Sequence, residues 1–202
     1  MAIKTTSGTD THIAKNGVSD LTPNSIVLGA GTIHKGMVLD TENGLVTDWG
    51  TIIGATSGGN SVEIKGEIVN IELDGALVKT KGLAVMQGGT ATMECNFAEI
   101  TEDIVKMGII GTSTDGVGII TPKAVIEEDD YVPGFAFVGL TADGIKRVIV
   151  WFENALCTSG LKLEGKNKEN SVISLTMEAY AEINGNLDTI PVKILMVDDM
   201  EW

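Results

Sequence analysis

The chain has 202 residues and a formal net charge of −14, with 43% apolar and only 4% aromatic residues. This length and apolar fraction fit one large all-β domain with an aliphatic core better than two small domains. The acidic balance argues against a protein that grips nucleic acid, because phosphate binding needs patches of Lys and Arg.

The N-terminal segment, residues 1–24, is dominated by Thr, Ser, Asn, Asp and Gly. It lacks the apolar centre of a signal peptide, and no run in the chain reaches the roughly 18 apolar residues of a membrane span. We therefore expect synthesis in the cytoplasm, without secretion or membrane insertion. We also expect an extended arm that frays in a monomer and docks on a neighbour in an assembly, followed by one β-rich domain over residues 25–202.

Strand-like runs recur after this arm and are separated by turn residues, including Asn-Gly and Asp-Gly pairs that favour hairpins. The 25 glycines and 4 prolines suit many tight turns. The predicted strands are Ser25–Leu28, Thr32–Leu39, Thr51–Ile53, Ser61–Leu73, Ala76–Lys79, Thr90–Phe97, Phe135–Leu140, Ile145–Phe152, Ser171–Ile183 and Ile190–Val197.

The glycine-rich stretch GATSGGNS, Gly54–Ser61, superficially matches a phosphate-binding loop. Asn60 stands where that motif needs a lysine for the β- and γ-phosphates. A strand pattern follows the stretch, whereas a phosphate site needs the N-terminus of a helix. We interpret the stretch as a turn in a hairpin-like loop, with a nucleotide site as the minor alternative.

Polar and apolar residues alternate cleanly in Thr90–Phe97, in Ser171–Ile183 and in the first half of Val62–Leu73, which is typical of strands with one buried face. In the last of these runs the alternation slips at Ile68-Val69. A slip inverts every later side chain. We expect a β-bulge there, or a strand that bends between two packed sheets.

One short helix is predicted after the strand that ends at Phe97. Thr101 is a candidate N-cap, and Glu102 and Asp103 place negative charge in the first turn. Gly108 or Gly111 is expected to end the helix. The acidic run Glu127–Asp130 is interpreted as a solvated loop, with cation binding as the alternative. The expected fold is mainly β, a sandwich or barrel of about ten strands with one short flanking helix.

The parts of a catalytic site are missing from the sequence. No serine lies in a nucleophile elbow, and His12 and His34 have no partners at metal-ligand spacing. Cys95 and Cys157 are expected to be buried free thiols. We therefore predict a protein that is not an enzyme and that binds no cofactor or metal.

Several ordered phrases resemble the tail tube (major tail) proteins of long-tailed phages and prophages of Gram-positive bacteria. The phrases GLAVMQGGTATMECNF (Gly82–Phe97) and TSGLKLEGKNKEN (Thr158–Asn170) carry most of this resemblance, which covers most of Ser25–Val197. It implies a β-sandwich or barrel-like subunit with one flanking helix. Six subunits would form a ring, and stacked rings would form a hollow tube whose inner sheet is continuous between subunits.

The resemblance also implies partners and a location. The partners would be other copies of the chain, the tape measure protein and tail-tip or terminator proteins, and double-stranded DNA would pass transiently through the lumen. The protein would reside in the virion tail after synthesis in the bacterial host. An acidic lumen suits this role, because it repels phosphate and leaves DNA mobile.

Two sets of residues are candidates for these contacts. The polar faces of the alternating strands would line the lumen, with an outer solvated face as the alternative. A glycine-rich hairpin tip, Val46–Asn60, would contact the next ring. The lumen candidates are Glu63, Lys65, Glu67, Thr92, Glu94, Asn96, Thr176 and Glu178; the inter-ring candidates are Trp49, Gly54, Ser57, Gly58, Gly59 and Asn60.

Other functions stay open at this point. A tube protein of a contractile tail or a tail terminator is the alternative within the virion. A β-sandwich domain that binds a soluble ligand such as carbohydrate is the alternative outside it. That domain would need exposed aromatic residues near loops, for which Trp49 and Trp151 are the candidates.

Overall fold

The computed structural model describes residues 22, 26–40, 42–75, 78–114, 118–164 and 171–198. This part of the chain forms twelve strands, one α-helix and a 3₁₀ turn at Glu128–Asp130, which confirms the mainly β fold with a single short helix. In chain order the elements are β1 Val27–Lys35, β2 Val38–Asp40, β3 Leu45–Asp48, β4 Thr51–Ile52, β5 Ser61–Asn70, β6 Ala84–Phe97, α1 Glu102–Ile109, β7 Gly111–Thr114, β8 Ile119–Pro122, β9 Val132–Thr141, β10 Lys146–Cys157, β11 Ile173–Tyr180 and β12 Val192–Asp198.

One antiparallel sheet of eight strands holds most of the fold. Its order is β4-β1-β9-β10-β11-β6-β5, and β12 joins it as a second partner of β10. β12 pairs with the first half of β10, at Lys146–Phe152, and β11 pairs with the last four residues of the same strand. β10 is therefore shared by two halves of the sheet, and together they give the sandwich-like fold. Two small hairpins, β2–β3 and β7–β8, complete the described part.

Two apolar cores explain the two kinds of strand pattern. The first core contains Phe97, Phe135 and Phe152, none of them exposed to solvent. The second core lies on the opposite face of β9 and β10, where Ala136 and Ile149 pack beneath the β2–β3 hairpin. Strands buried on both faces need apolar residues at successive positions, as in FAFVGL and VIVWF, whereas β6 and β11 bury one face and alternate.

Helix α1 begins as predicted and ends differently. The Thr101 hydroxyl accepts a hydrogen bond from the backbone N–H of Ile104 at 3.3 Å, so Thr101 is the N-cap. The predicted end at Gly108 or Gly111 is wrong, because Gly108 is buried inside the helix against Leu161. Ile110 ends the helix instead, in the left-handed conformation with φ 49°.

Removing the N-cap should weaken the fold measurably. Thr101→Ala leaves a backbone N–H of the first turn without its acceptor, and we expect a loss of about 1 kcal/mol in the free energy of unfolding. Urea denaturation measures this change. Thr121→Ala is the matched control, since Thr121 is exposed and makes no side-chain hydrogen bond within the described residues. Equal stability of the two variants would contradict the capping role.

The strand boundaries hold several corrections. β6 begins at Ala84, six residues earlier than predicted, and the strands of the β7–β8 hairpin were not predicted at all. Residues 78 and 79 are not in a strand, so the prediction of a strand over Ala76–Lys79 is wrong for them, while 76 and 77 lie outside the described residues. The β-bulge is confirmed: the β5–β6 register shifts between Gly66 and Ile68. The predicted N-terminal arm lies outside the described residues except for Thr22.

Candidate functional site

One face of the sheet formed by β5, β6 and β11 is polar. In the strand register Ser61 lies opposite Glu94, which lies opposite Thr176. Two residues further along each strand, Glu63, Thr92 and Glu178 form a second polar row. Side chains of directly opposed residues share a face. The face therefore brings together seven of the eight predicted lumen residues: Glu63, Lys65, Thr92, Glu94, Asn96, Thr176 and Glu178. The eighth, Glu67, lies in the bulge.

The opposite face of β6 and β11 is buried. Met93, Cys95 and Leu175 are fully buried in the first core. Burial raises the pKa of the Cys95 thiol, and both Cys95 and Cys157 are free and buried, as expected. On the polar face the Ser174 hydroxyl donates a hydrogen bond to Glu94 Oε1 at 3.1 Å. This sheet thus separates an acidic, hydroxyl-rich surface from the core.

The sheet has open edges within the described residues. β5 pairs only with β6, and β12 pairs only with β10, so each strand keeps one edge without a partner there. β5 offers ten residues of backbone and β12 offers seven. Unpaired N–H and C=O groups in a row are a template for another strand. The polar face therefore ends at an edge, β5, that can continue into a neighbouring chain.

The outer half of the β5–β6 hairpin and the described part of its loop form an exposed segment, residues 66–75 and 78–90, that we call the ribbon. Most of its residues are exposed, in contrast to the alternating burial of the rest of β6. Large apolar side chains are among them: Ile68 is 62% exposed, Val78 77% and Met86 65%. Exposed apolar residues in such number mark an interaction surface.

The predicted hairpin tip at Val46–Asn60 is wrong as a structure. β4 pairs with β1 and β5 pairs with β6, so these strands are not partners of each other. The segment between them lies against the end of β6 instead: the Ser57 N–H donates to the Asn96 carbonyl at 2.9 Å, and the Asn96 N–H donates to Asn60 Oδ1 at 3.0 Å. Asn60 thus accepts a hydrogen bond that holds this segment against the end of β6. That role is neither phosphate binding nor the turn of a hairpin.

The six inter-ring candidates do not form one surface. Ser57 and Gly58 are exposed, whereas Gly54, Gly59 and Asn60 are half-buried. Trp49 packs on the second core, and Arg147 lies over its ring with Cζ 5.8 Å from the centroid. Any contact of these residues with a next ring stays a prediction. The ribbon was missed, although the adjacent apolar residues Ile68 and Val69, where the alternation slips, were the available signal.

A buried histidine ties β1 to Trp49. His34 Nδ1 donates to the Trp49 carbonyl at 2.9 Å, which leaves Nε2 as the acceptor for the Thr32 hydroxyl at 2.9 Å. The neutral ring satisfies both contacts. Burial lowers the pKa of His34, and the hydrogen bond to Trp49 opposes that shift in part. Arg147, over the same tryptophan, adds a positive charge nearby.

Stability should fall in mildly acidic solution because of this histidine. Since the folded-state pKa is the lower one, the unfolded chain takes up the proton first as pH falls below about 6.5. We expect the free energy of unfolding to decline from there until the folded-state pKa is passed, and to be insensitive to His34 above pH 7.5. Urea denaturation of wild type and His34→Gln across pH 5 to 8 isolates the effect. Parallel pH profiles of the two proteins would contradict it.

The described residues supply no group of three or more His, Cys, Asp or Glu side chains suited to a metal ion. In the predicted acidic loop, Lys123 Nζ lies 2.8 Å from Asp130 and 2.7 Å from Glu127. Hydrogen bonds to Asp130 and Glu127 raise the pKa of Lys123 to about 12. Lys123 therefore neutralises part of the negative charge of this loop. No helix among the described residues is long and apolar enough to cross a membrane.

No protein-family profile matches this chain, and no curated protein matches it.

Proposed function

We propose that the chain is a virion structural protein, the subunit of a phage tail tube built from stacked hexameric rings. The observation that carries this proposal is the polar face. Seven residues chosen for a lumen lie on one face of β5, β6 and β11, with a dry core behind them and an open strand edge beside them. The resemblance of the phrases Gly82–Phe97 and Thr158–Asn170 to tail tube proteins supports the same role.

Assembly into a ring closes the open edge of β5. A ring of copies that pairs edge strands between neighbours closes the sheet and removes exposed edges. The polar face then forms the inner wall, where Glu63, Glu94 and Glu178 outweigh Lys65. Such a wall repels phosphate, so double-stranded DNA passes without being held. The tape measure protein would occupy the lumen before DNA, and tip and terminator proteins would close the ends.

The apolar ribbon supports assembly independently of the lumen. A chain that stayed monomeric would leave Ile68, Val78 and Met86 in water. Burial of apolar surface contributes about 25 cal/mol per Å². Contact with a neighbouring copy supplies that burial, which favours a polymerising subunit over a binding domain for a small ligand. This proposal assigns no catalysis and no cofactor to the chain.

Concentration-dependent assembly tests the proposal. Sedimentation velocity of the purified protein, followed by negative-stain electron microscopy of the fast fraction, should give rings or hollow tubes as concentration rises. Sixfold end views are the expected result. Monomers at every concentration, also in the presence of a tail-tip initiator complex, would contradict the proposed function.

A further inference from the structure

The ribbon carries cations that have no partner. Every other described Lys or Arg makes an ion pair, a contact with an aromatic ring or another polar interaction. Lys65, Lys79 and Lys81 make none within the described residues; Lys79 and Lys81 lie in the ribbon, whereas Lys65 precedes it on the polar face of β5. In a chain with net charge −14, unpaired cations on a protruding apolar segment call for an acidic partner.

A cleft on the same chain has the complementary character. Its volume is about 670 Å³, and it lies between the 3₁₀ turn and the ends of β10 and β11. Tyr131 and Tyr180 meet in it edge to face, with ring centroids 5.3 Å apart. Ile126, 49% exposed, and Ile183, 83% exposed, add apolar surface.

Two carboxylates of this cleft are available to a cation. Lys123 already pairs with Glu127, and Glu182 accepts a hydrogen bond from Asn154. Glu128 and Asp129 have no ion pair within the described residues, and both are exposed. The cleft therefore combines tyrosine rings, apolar walls and two available negative charges. Lysine stems pack on apolar surface while their ammonium groups reach carboxylates or aromatic faces.

The position of the cleft argues against a contact with the ribbon tip of the same chain. Loop 181–191, which contributes Ile183 to the cleft, also approaches the base of the ribbon, since Ile190 packs close to Gly89. From Gly89 outward, the five residue steps to Ala84 extend about 17 Å at about 3.4 Å each. The ribbon tip thus extends away from Gly89. Loop 181–191, which contributes to the cleft of the same chain, stays at the base of the ribbon.

We propose that the ribbon tip of one copy, Val78 with Lys79 and Lys81, docks in the Tyr131–Tyr180 cleft of a second copy. The contact joins two different patches of the same chain, so each copy offers one tip and one cleft. Such a heterologous contact closes a ring or propagates a filament. The inference deepens the proposed function by naming a contact that sets the assembly.

Charge exchange tests this contact. The variants are Lys79→Glu with Lys81→Glu, Glu128→Lys with Asp129→Lys, and all four changes together. We expect each double variant to raise the critical concentration for polymerisation about tenfold or more, which corresponds to 1.4 kcal/mol per tenfold. The quadruple variant should return to within about threefold of wild type, because the pairs are restored with reversed sign. Pelleting assays at low salt measure all four proteins.

The design separates the contact from net charge. The lysine variant makes the chain more negative and the acidic-residue variant makes it less negative, whereas the quadruple variant has the wild-type charge. A general charge effect would shift the critical concentrations of the two double variants in opposite directions. The proposed contact predicts that the critical concentration rises in both. Because all four side chains are exposed, thermal unfolding should stay near wild type.

The outcomes are distinguishable. Wild-type critical concentrations for both double variants would overturn the contact and leave the proposed function standing. Loss of assembly in the lysine variant without recovery in the quadruple variant would mean that the ribbon tip contacts a different surface. That result would also overturn the proposed contact. Wild-type protein that never polymerises would overturn both the contact and the proposed function.

Discussion

Gly134→Ala should unfold the protein at urea concentrations that leave the wild type folded. Gly134 has φ +56°, a conformation that costs an L-residue about 1–2 kcal/mol. A Cβ atom there would lie 2.2 Å from the Met37 carbonyl oxygen, so the backbone must also move. Overpacking of this kind costs about 1–3 kcal/mol. We expect a total loss of about 3 kcal/mol or more.

The position of Gly134 makes that movement costly. The Met37 N–H donates to the Gly134 carbonyl at 3.0 Å, which holds the covering segment of the second core on β9. Val132 and Phe135 both pack on the first core although they are an odd number of residues apart. Gly134, in the left-handed conformation between them, interrupts the side-chain alternation of β9.

Gly144→Ala is the matched control for this prediction. Gly144 has φ +74°, but a Cβ atom there would meet no atom within 4 Å. Only the conformational cost applies, about 1 kcal/mol. Denaturation curves in urea compare the two variants. Equal losses would contradict the account of the β9 contact, since backbone conformation alone would then explain both.

Tubes assembled from Glu63→Lys with Glu94→Lys should retain double-stranded DNA that wild-type tubes release. Both side chains are exposed on the polar face, on adjacent strands. The reversal turns a repelling wall into one that binds phosphate and displaces counterions. We expect DNA affinity to rise at least about tenfold at low salt and to fall steeply as salt is added. Fluorescence anisotropy of short DNA with assembled tubes measures it.

A second pair of reversals controls for net charge. Glu42→Lys with Asp188→Lys makes the same change at exposed positions in the β2–β3 turn and in the β11–β12 loop, away from the polar face. These tubes should bind DNA much more weakly than the polar-face variant. If both variants bound DNA equally, the polar face would have no special access to DNA, and its assignment to the lumen would fail.

Local patterns predicted the parts of this fold that local physics decides. Alternation in β6 and β11 placed Thr92, Glu94 and Thr176 on one face, because side-chain direction in a strand depends only on position. The N-cap at Thr101 followed from its own side chain. The end of the helix did not, because burial of Gly108 against Leu161 is a tertiary contact.

The errors lie where pairing partners are distant in sequence. The glycines between Gly54 and Asn60 indicated a turn, but the choice of β1 and β6 as partners comes from residues about 20 to 40 positions away. The ribbon was hidden for a similar reason. Its apolar residues indicate burial, and a single chain does not bury them. In the proposed function, a second copy supplies the missing surface.

The most direct test of the central claim is a helical reconstruction by electron cryomicroscopy of the assembled protein. The account predicts a hollow tube of sixfold rings, with Glu63, Thr92 and Glu178 on its inner wall and strand edges paired between neighbours. A polymer with this face on its outside, or a solid filament without a lumen, would contradict it.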